Sequence, residues 1–172
     1  VNYILVQLDH VASQGGPTIQ FNEVNLGGGS LVGEEWKEGA RRAVRAVLHA
    51  VGDSGHDWMI TIKNRSATSL TDGMSASAAV AVAIMAAYRG GAIRSDVALS
   101  GQITPDGRLD VVGGLPVKVE AAANAHYRAI IVPRDQVLTP DWMSSTDVAS
   151  RRRIQLIQAG TLDEAYQAMT VR

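Results

Sequence analysis

The chain lacks cysteine altogether and holds few aromatic residues, which make up 5% of its 172 residues. The absence of cysteine excludes disulfide bonds, thiolate metal sites and a cysteine nucleophile. The longest apolar stretch, residues 76–88, is too short and too rich in alanine to span a bilayer. Neither sign of charge dominates, because 16 Lys and Arg residues face 17 Asp and Glu residues. The composition therefore favours neither a membrane partner nor a nucleic-acid partner held by bulk charge.

The composition is instead typical of a folded globular chain, with 46% hydrophobic and 19% charged residues. Many of the apolar residues are alanine and valine, which predicts a core of small side chains in close contact. No positively charged leader precedes an apolar segment, so we expect no secretion signal and a cytoplasmic location. Since the chain opens at Val1, we interpret residues 1–172 as a single domain that is excised or processed from a longer chain.

Hydrophobic periodicity and turn residues predict an α+β domain with mixed sheets, a β-hairpin and several packed helices. Strands are predicted at residues 3–8, 18–24, 58–63, 129–133 and 154–158, and helices at 34–51, 75–88, 115–125 and 162–169. Residues 97–104 and 108–112 are predicted to form the hairpin around the turn Pro-Asp-Gly at 105–107. Loops are predicted at 27–30 and 64–71. Thr161, with Glu164 three residues later, predicts the start of the last helix.

Ser75 lies in the segment TDGMSAS, residues 71–77, directly before the alanine-rich helix. Asp72 and Gly73 allow the backbone to turn sharply, so that the Ser75 hydroxyl can project from the helix N-terminus. The free amides of that first turn are donors that can stabilise an oxyanion. These features favour a nucleophile. The alternative is that Ser75 only caps the helix.

Lys118 lies on a predicted helix face that is otherwise apolar. The other members of this face are Leu115, Val119 and Ala122. A lysine acts as a general base only when neutral, and burial lowers its pKa toward the value that this role requires. The alternative is that Lys118 extends its amine to solvent along the helix surface.

Three blocks of sequence resemble the proteolytic domain of the Lon proteases. They are DGMSA at 72–76, RSDVALSGQIT at 94–104, and GRLDVVGGL at 107–115 with Lys118 following. The similarity is strongest over 58–133, is weaker over 154–169, and is slight in the first 30 residues. Met74 replaces a usual proline and Ser77 a usual glycine, while Gln102 and Pro116 replace a usual glutamate and lysine. These differences suggest a divergent branch and put the shape of the substrate pocket in question.

The resemblance implies a serine endopeptidase with a Ser-Lys dyad. In it Ser75 would attack the scissile carbonyl and Lys118 would take its proton. Ser100 stands where the family has a hydroxyl residue that orients the lysine. Backbone amides near Gly73, Met74 and Ser75 would form the oxyanion hole, and Asp72 would support this turn. The alternative is a non-proteolytic Lon-like scaffold for assembly or nucleic-acid binding, whose known members lack the catalytic pair.

The resemblance also implies an unfolded or flexible polypeptide as substrate and a homo-oligomer, with a six-membered ring as the usual form. ATP hydrolysis in such proteins belongs to a separate AAA+ module. The glycine run at 27–33 is not followed by Lys and then Ser or Thr, so we expect no nucleotide site and no cofactor in this chain. The histidines are scattered and predict neither a metal site nor a Ser-His-Asp triad; they are His10, His49, His56 and His126.

Overall fold

The computed structural model describes residues 1–12, 15–23, 31–66 and 70–171. The helices in these ranges are α1 (Glu34–Val51), α2 (Ser77–Arg89), α3 (Leu115–Asn124), α4 (Trp142–Arg152) and α5 (Leu162–Met169), with a 3₁₀ helix at Arg134–Leu138. The strands are β1 (Tyr3–His10), β2 (Thr18–Phe21), β3 (Leu31–Val32), β4 (Trp58–Arg65), β5 (Leu70–Thr71), β6 (Ala92–Ile93), β7 (Val97–Leu99), β8 (Gln102–Ile103), β9 (Leu109–Asp110), β10 (Ala129–Pro133), β11 (Gln155–Ala159) and β12 (Thr170–Val171). The predicted α+β class is confirmed.

The first sheet has the strand order β1-β4-β2 and covers α1 and α2. Strand β1 is antiparallel to β4, whereas β2 is parallel to it. Alternate residues of β4 are buried, as the period of a strand requires, and Trp58, Ile60 and Ile62 join a core shared with both helices. Helix α1 ends at Gly52, whose φ of +69° suits glycine at a helix C-terminus.

The second sheet has the strand order β11-β10-β7, with all strands parallel. Every residue of the central strand β10 is buried, as its continuous apolar sequence predicts. Ile131 belongs to the core around α1 and α2, whereas Ile130 and Val132 pack in a second core with residues of α3 and α4. Strand β10 therefore separates the two cores and fixes α3 relative to α2. Within the described ranges, no helix is both long and apolar enough to cross a membrane.

The predicted β-hairpin is only partly correct. Strands β8 and β9 pair antiparallel around the predicted turn, but β7 pairs parallel with β10 in the second sheet. The predicted strand over 97–104 is thus two strands, which are interrupted at Ser100 and Gly101. The reason is that the backbone of Gly101 forms hydrogen bonds with residues beside and in α2 rather than with a neighbouring strand.

Other differences concern helix and loop boundaries. Helix α2 begins at Ser77 rather than at residue 75, and α4 was not predicted. The predicted loop at 64–71 contains the end of β4 and all of β5, while residues 67–69 lie outside the described residues. The predicted loop at 27–30 and the end of the predicted strand at residue 24 also lie outside them.

The N-terminus of α5 offers a test of the local structure. Thr161 Oγ1 accepts a hydrogen bond from the Glu164 amide at 3.2 Å, as the sequence predicts. We expect Thr161→Ala to lower the free energy of unfolding by about 1 kcal/mol, because the amide loses its partner. Chemical denaturation measures the difference. Thr161→Ser keeps the hydroxyl and serves as the control, and an equal loss in both variants would contradict the capping role.

Candidate active site

Ser75 lies in the turn that leads into α2. The N-cap residue of α2 is Ala76, which has a helical backbone and no capping side chain. The interpretation of Ser75 as only an N-cap is therefore wrong. Gly73 has a φ of +93°, a conformation that favours glycine and provides the sharp turn expected before Ser75. The Ser75 side chain is partly buried, and among the described residues it has no hydrogen-bond partner.

Asp72 holds this turn against the first helix. Its Oδ1 accepts hydrogen bonds from the Trp36 amide at 3.1 Å and from the Gly73 amide at 2.9 Å. These backbone donors, that of Gly73 first, lower the pKa of the Asp72 carboxyl below its ordinary value. A Cβ on Gly33 would lie 2.2 Å from the Asp72 Cγ, so the carboxylate occupies space that only glycine leaves free. Asp72 thus joins the N-terminus of α1 to the turn before Ser75.

The first residue of α2 connects this turn to β8. Ser77 is 3% exposed, and its Oγ accepts a hydrogen bond from the Ile103 amide at 2.9 Å. Two backbone hydrogen bonds of 3.1 Å run beside it, one from the Gly101 amide to the Ser75 carbonyl and one from the Ala78 amide to the Gly101 carbonyl. The segment that carries Ser75 is therefore fixed to the segment that follows Ser100.

A glycine in α1 makes room for Ser77. A Cβ on Gly39 would lie 3.1 Å from the Ser77 Cβ and 3.5 Å from the Met74 Cα, closer to Ser77 than side chains usually approach. Sequence reasoning did not find this contact. The only local signal was a glycine inside a helix, where it lowers helix stability by roughly 1 kcal/mol relative to alanine.

Lys118 lies in the first turn of α3 and is half-buried. Leu115, Val119 and Ala122 of the same face are buried, as their spacing predicts. Burial lowers the pKa of the Lys118 ammonium below its ordinary value, because the charged form loses solvation. No acidic group in the described residues contributes to this pKa. The environment of Lys118 therefore makes its charged form less favourable than that of a lysine in solvent.

A cavity of about 880 Å³ opens between β1, α2, β7 and α3. Ser75, Ser100 and Lys118 all line it, although they lie on three separate segments of the chain. Ser100 is 8% exposed, and its amide donates to the Ile131 carbonyl at 3.0 Å, which holds it at the end of β7. Although all three belong to the described residues, no hydrogen bond joins their side chains to one another.

The amides around Ser75 differ in their availability. The Gly73 amide donates to the Asp72 carboxylate, so it is not free to bind an oxyanion. The amides of Met74 and Ser75 have no acceptor among the described residues. Of the three amides that were expected near an oxyanion hole, these two can donate to a developing negative charge.

The histidines lie away from this cavity, since none of the four is among the described residues that line it. His10 contacts the Asp57 carboxylate at 3.1 Å on the surface. No group of three or more His, Asp and Glu side chains in the described ranges is placed to hold a metal ion. Among the described residues that line the cavity, Lys118 is the only lysine, and none is a histidine, an aspartate or a glutamate.

Residues 28–170 match the family described as Lon protease (S16) C-terminal proteolytic domain. A Lon protease of Aquifex aeolicus is 30% identical over 175 aligned residues, which cover 91% of this chain and 21% of that protein. A Lon protease of Chloroflexus aggregans is 31% identical over 142 residues, with 79% of this chain and 17% of the relative covered. An archaeal Lon protease of Pyrococcus abyssi is 33% identical over 104 residues, which cover 58% of this chain and 10% of that protein.

The chain spans about a tenth to a fifth of the length of these relatives. The match covers all three sequence blocks on which the resemblance rested. That resemblance is confirmed, and this chain belongs to the Lon protease proteolytic-domain family.

Proposed function

We propose that this chain is a serine endopeptidase domain in which Ser75 is the nucleophile and Lys118 is the general base. The observation that supports this most directly is that both side chains line one cavity, together with Ser100. Two further observations agree with it. The Ser75 hydroxyl is not used to cap α2, and burial lowers the pKa of Lys118 with no contribution from an acidic group of the described residues.

The reaction begins when the neutral amine of Lys118 takes the proton of the Ser75 hydroxyl as Oγ attacks the scissile carbonyl carbon. The oxyanion of the tetrahedral intermediate accepts hydrogen bonds from the amides of Met74 and Ser75. The Lys118 ammonium then gives the proton to the leaving amine, and the acyl group remains on Ser75. Water attacks this ester with Lys118 again as base, which releases the second product and restores Ser75.

Two further serines have positioning roles in this proposal. Ser100 orients the Lys118 amine from the buried end of β7. Ser77 keeps Ser100 in place, because its hydroxyl holds the Ile103 amide three residues farther along the chain. Asp72 positions the Ser75 turn through backbone amides and takes no part in proton transfer.

The proposed substrate is an unfolded or flexible polypeptide. An extended chain fits an open cavity whose walls are largely apolar and rich in alanine, including Ala79, Ala83 and Ala87. The relatives are named Lon proteases, and this chain spans a small part of each. We therefore also propose assembly into a homo-oligomer and cooperation with an AAA+ ATPase module, whether fused or separate.

Covalent labelling tests the dyad directly. We expect a peptidyl electrophile directed at serine to modify Ser75, with the site located by mass spectrometry. Ser75→Ala should abolish the labelling, and Lys118→Met should slow it at least about a hundredfold, as expected for loss of a general base. The matched control is Ser95→Ala, because Ser95 lines the same cavity but has no assigned role. Unchanged labelling in folded Lys118→Met would contradict the mechanism, and labelling of no residue would favour the scaffold alternative.

The pH dependence of labelling tests the state of Lys118. Below its pKa Lys118 is protonated and cannot accept the proton of Ser75, whereas above it the amine is neutral. Because burial lowers this pKa, we expect the labelling rate to rise with pH and to level off below the pH at which ordinary lysine titrates. A pH series of labelling rates gives the midpoint. Lys118→Arg stays charged and should lack this rise. A midpoint at or above the value of free lysine would contradict the proposal.

Ser77→Ala tests the positioning role of Ser77. The variant leaves the buried Ile103 amide without its acceptor, and we expect it to lower the labelling rate of Ser75 roughly tenfold through displacement of Ser100. The control is Ser145→Ala, which removes another buried hydroxyl that donates to the Asp141 carbonyl at 2.8 Å. Both variants should lose stability, but only Ser77→Ala should lose labelling at a temperature where both are folded. Equal labelling in the two variants would contradict the positioning role.

A further inference from the structure

The cavity extends well beyond the proposed dyad. It follows α2 from Ala76 past Ala87 to Gly90 and Gly91, at the opposite end of the helix from Ser75. A helix of 13 residues is about 20 Å long at about 1.5 Å per residue. An extended peptide advances about 3.3 Å per residue, so about six residues span this length. A polypeptide whose scissile bond lies at Ser75 can therefore reach the far end of the cavity.

Arg94 lies at that far end. Its side chain is 34% exposed and lines the cavity, and its amide donates to the Met169 carbonyl at 2.8 Å. Arg94 and Lys118 are the only charged side chains among the described residues that line the cavity, and none of these residues is acidic. The groove is thus apolar along its walls and cationic at the end remote from Ser75.

The charge of Arg94 is only partly balanced by its neighbours. Asp96 accepts hydrogen bonds from Arg94 Nε at 3.3 Å and from Arg94 Nη2 at 3.5 Å, and also from Arg128 Nε at the shorter distance of 2.9 Å. One carboxylate therefore serves two guanidinium groups and leaves a net positive charge. Asp96 does not line the cavity, whereas Arg94 does. Since a guanidinium carries several N–H donors in a planar fork, Arg94 keeps donors for a second carboxylate.

We propose that Arg94 forms a subsite for a carboxylate of the substrate polypeptide, about six residues from the bond that is cleaved. This subsite rests on the proposed peptidase function. The carboxylate belongs either to an acidic side chain or to the C-terminus of the polypeptide, because both present the same two oxygens. The subsite selects for negative charge at this end of the groove, while the alanine-rich walls accept small apolar residues.

Peptide binding to the Ser75→Ala protein tests the subsite without requiring catalysis. The probes are three fluorescent peptides of about eight otherwise uncharged residues. At the C-terminal end they carry a glutamate with a blocked terminus, a glutamine with a blocked terminus, or a glutamine with a free terminal carboxylate. Fluorescence anisotropy gives their dissociation constants. We expect at least one carboxylate peptide to bind about fivefold more tightly than the blocked glutamine peptide. The peptide that shows the gain identifies the source of the carboxylate.

Variants of Arg94 in the same background separate its charge from other effects. Arg94→Gln should remove the preference, Arg94→Lys should keep part of it, and Arg151→Gln should leave it unchanged. Arg151 pairs with Asp147 at 3.0 Å on α4 and does not line the cavity. If Arg94→Gln does not fold, the binding of the peptides to the Ser75→Ala protein is measured at increasing salt concentrations instead. Screening by salt must weaken a preference that depends on charge. A preference that survives Arg94→Gln or high salt, or equal binding of all peptides, overturns the subsite.

The two proposals fail separately in this design. Labelling of Ser75 without any carboxylate preference overturns only the Arg94 subsite. A preference that depends on Arg94 without any labelling of Ser75 overturns only the peptidase mechanism.

Discussion

The backbone of Gly101 is hydrogen-bonded in both directions to the segment that carries Ser75. Its amide donates to the Ser75 carbonyl and its carbonyl accepts from the Ala78 amide, each at 3.1 Å. A Cβ at this position would lie 3.4 Å from both the Ala78 Cβ and the Pro133 Cγ, which is van der Waals contact, so the two segments are closely packed here. This contact places the end of β7 beside the start of α2. The parallel pairing of β7 with β10, and the packing of α3 near β10, then bring α3 to the same cavity.

The distribution of carboxylates around this cavity matters as much as its shape. Asp72 is the acidic residue nearest to Ser75 in sequence, but its Oδ1 accepts hydrogen bonds from backbone amides at the start of α1 and in the turn. Asp96, near the far end, is shared by two arginines. Neither residue lines the cavity. Lys118 is half-buried, and no acidic group in the described part of the chain contributes to its pKa, so its charged form is disfavoured, which is the condition under which an amine can serve as a base.

Much of the fold could be predicted from the sequence where a pattern was local and uninterrupted. The bounds of α1, β10 and α5 agree with prediction, because regular apolar spacing and clear end signals define them. The half-buried position of Lys118 likewise followed from its helical spacing. The break at Gly101 could not be predicted, because its hydrogen-bond partners lie more than twenty residues earlier in the chain. The contact between Gly39 and Ser77 joins two helices and left no local pattern either.

The carboxylate of Asp72 gives the first helix an influence on chemistry that its position does not suggest. Helix α1 contributes no residue to the cavity, yet its first turn and the Ser75 turn are bound to the same carboxylate. Any side chain at Gly33 would displace that carboxylate and so remove the acceptor that the two amides share. Under the proposed mechanism, a genetic screen for inactive variants would therefore return positions at the start of α1 beside those in the cavity, because such variants would be folded proteins with a misplaced Ser75.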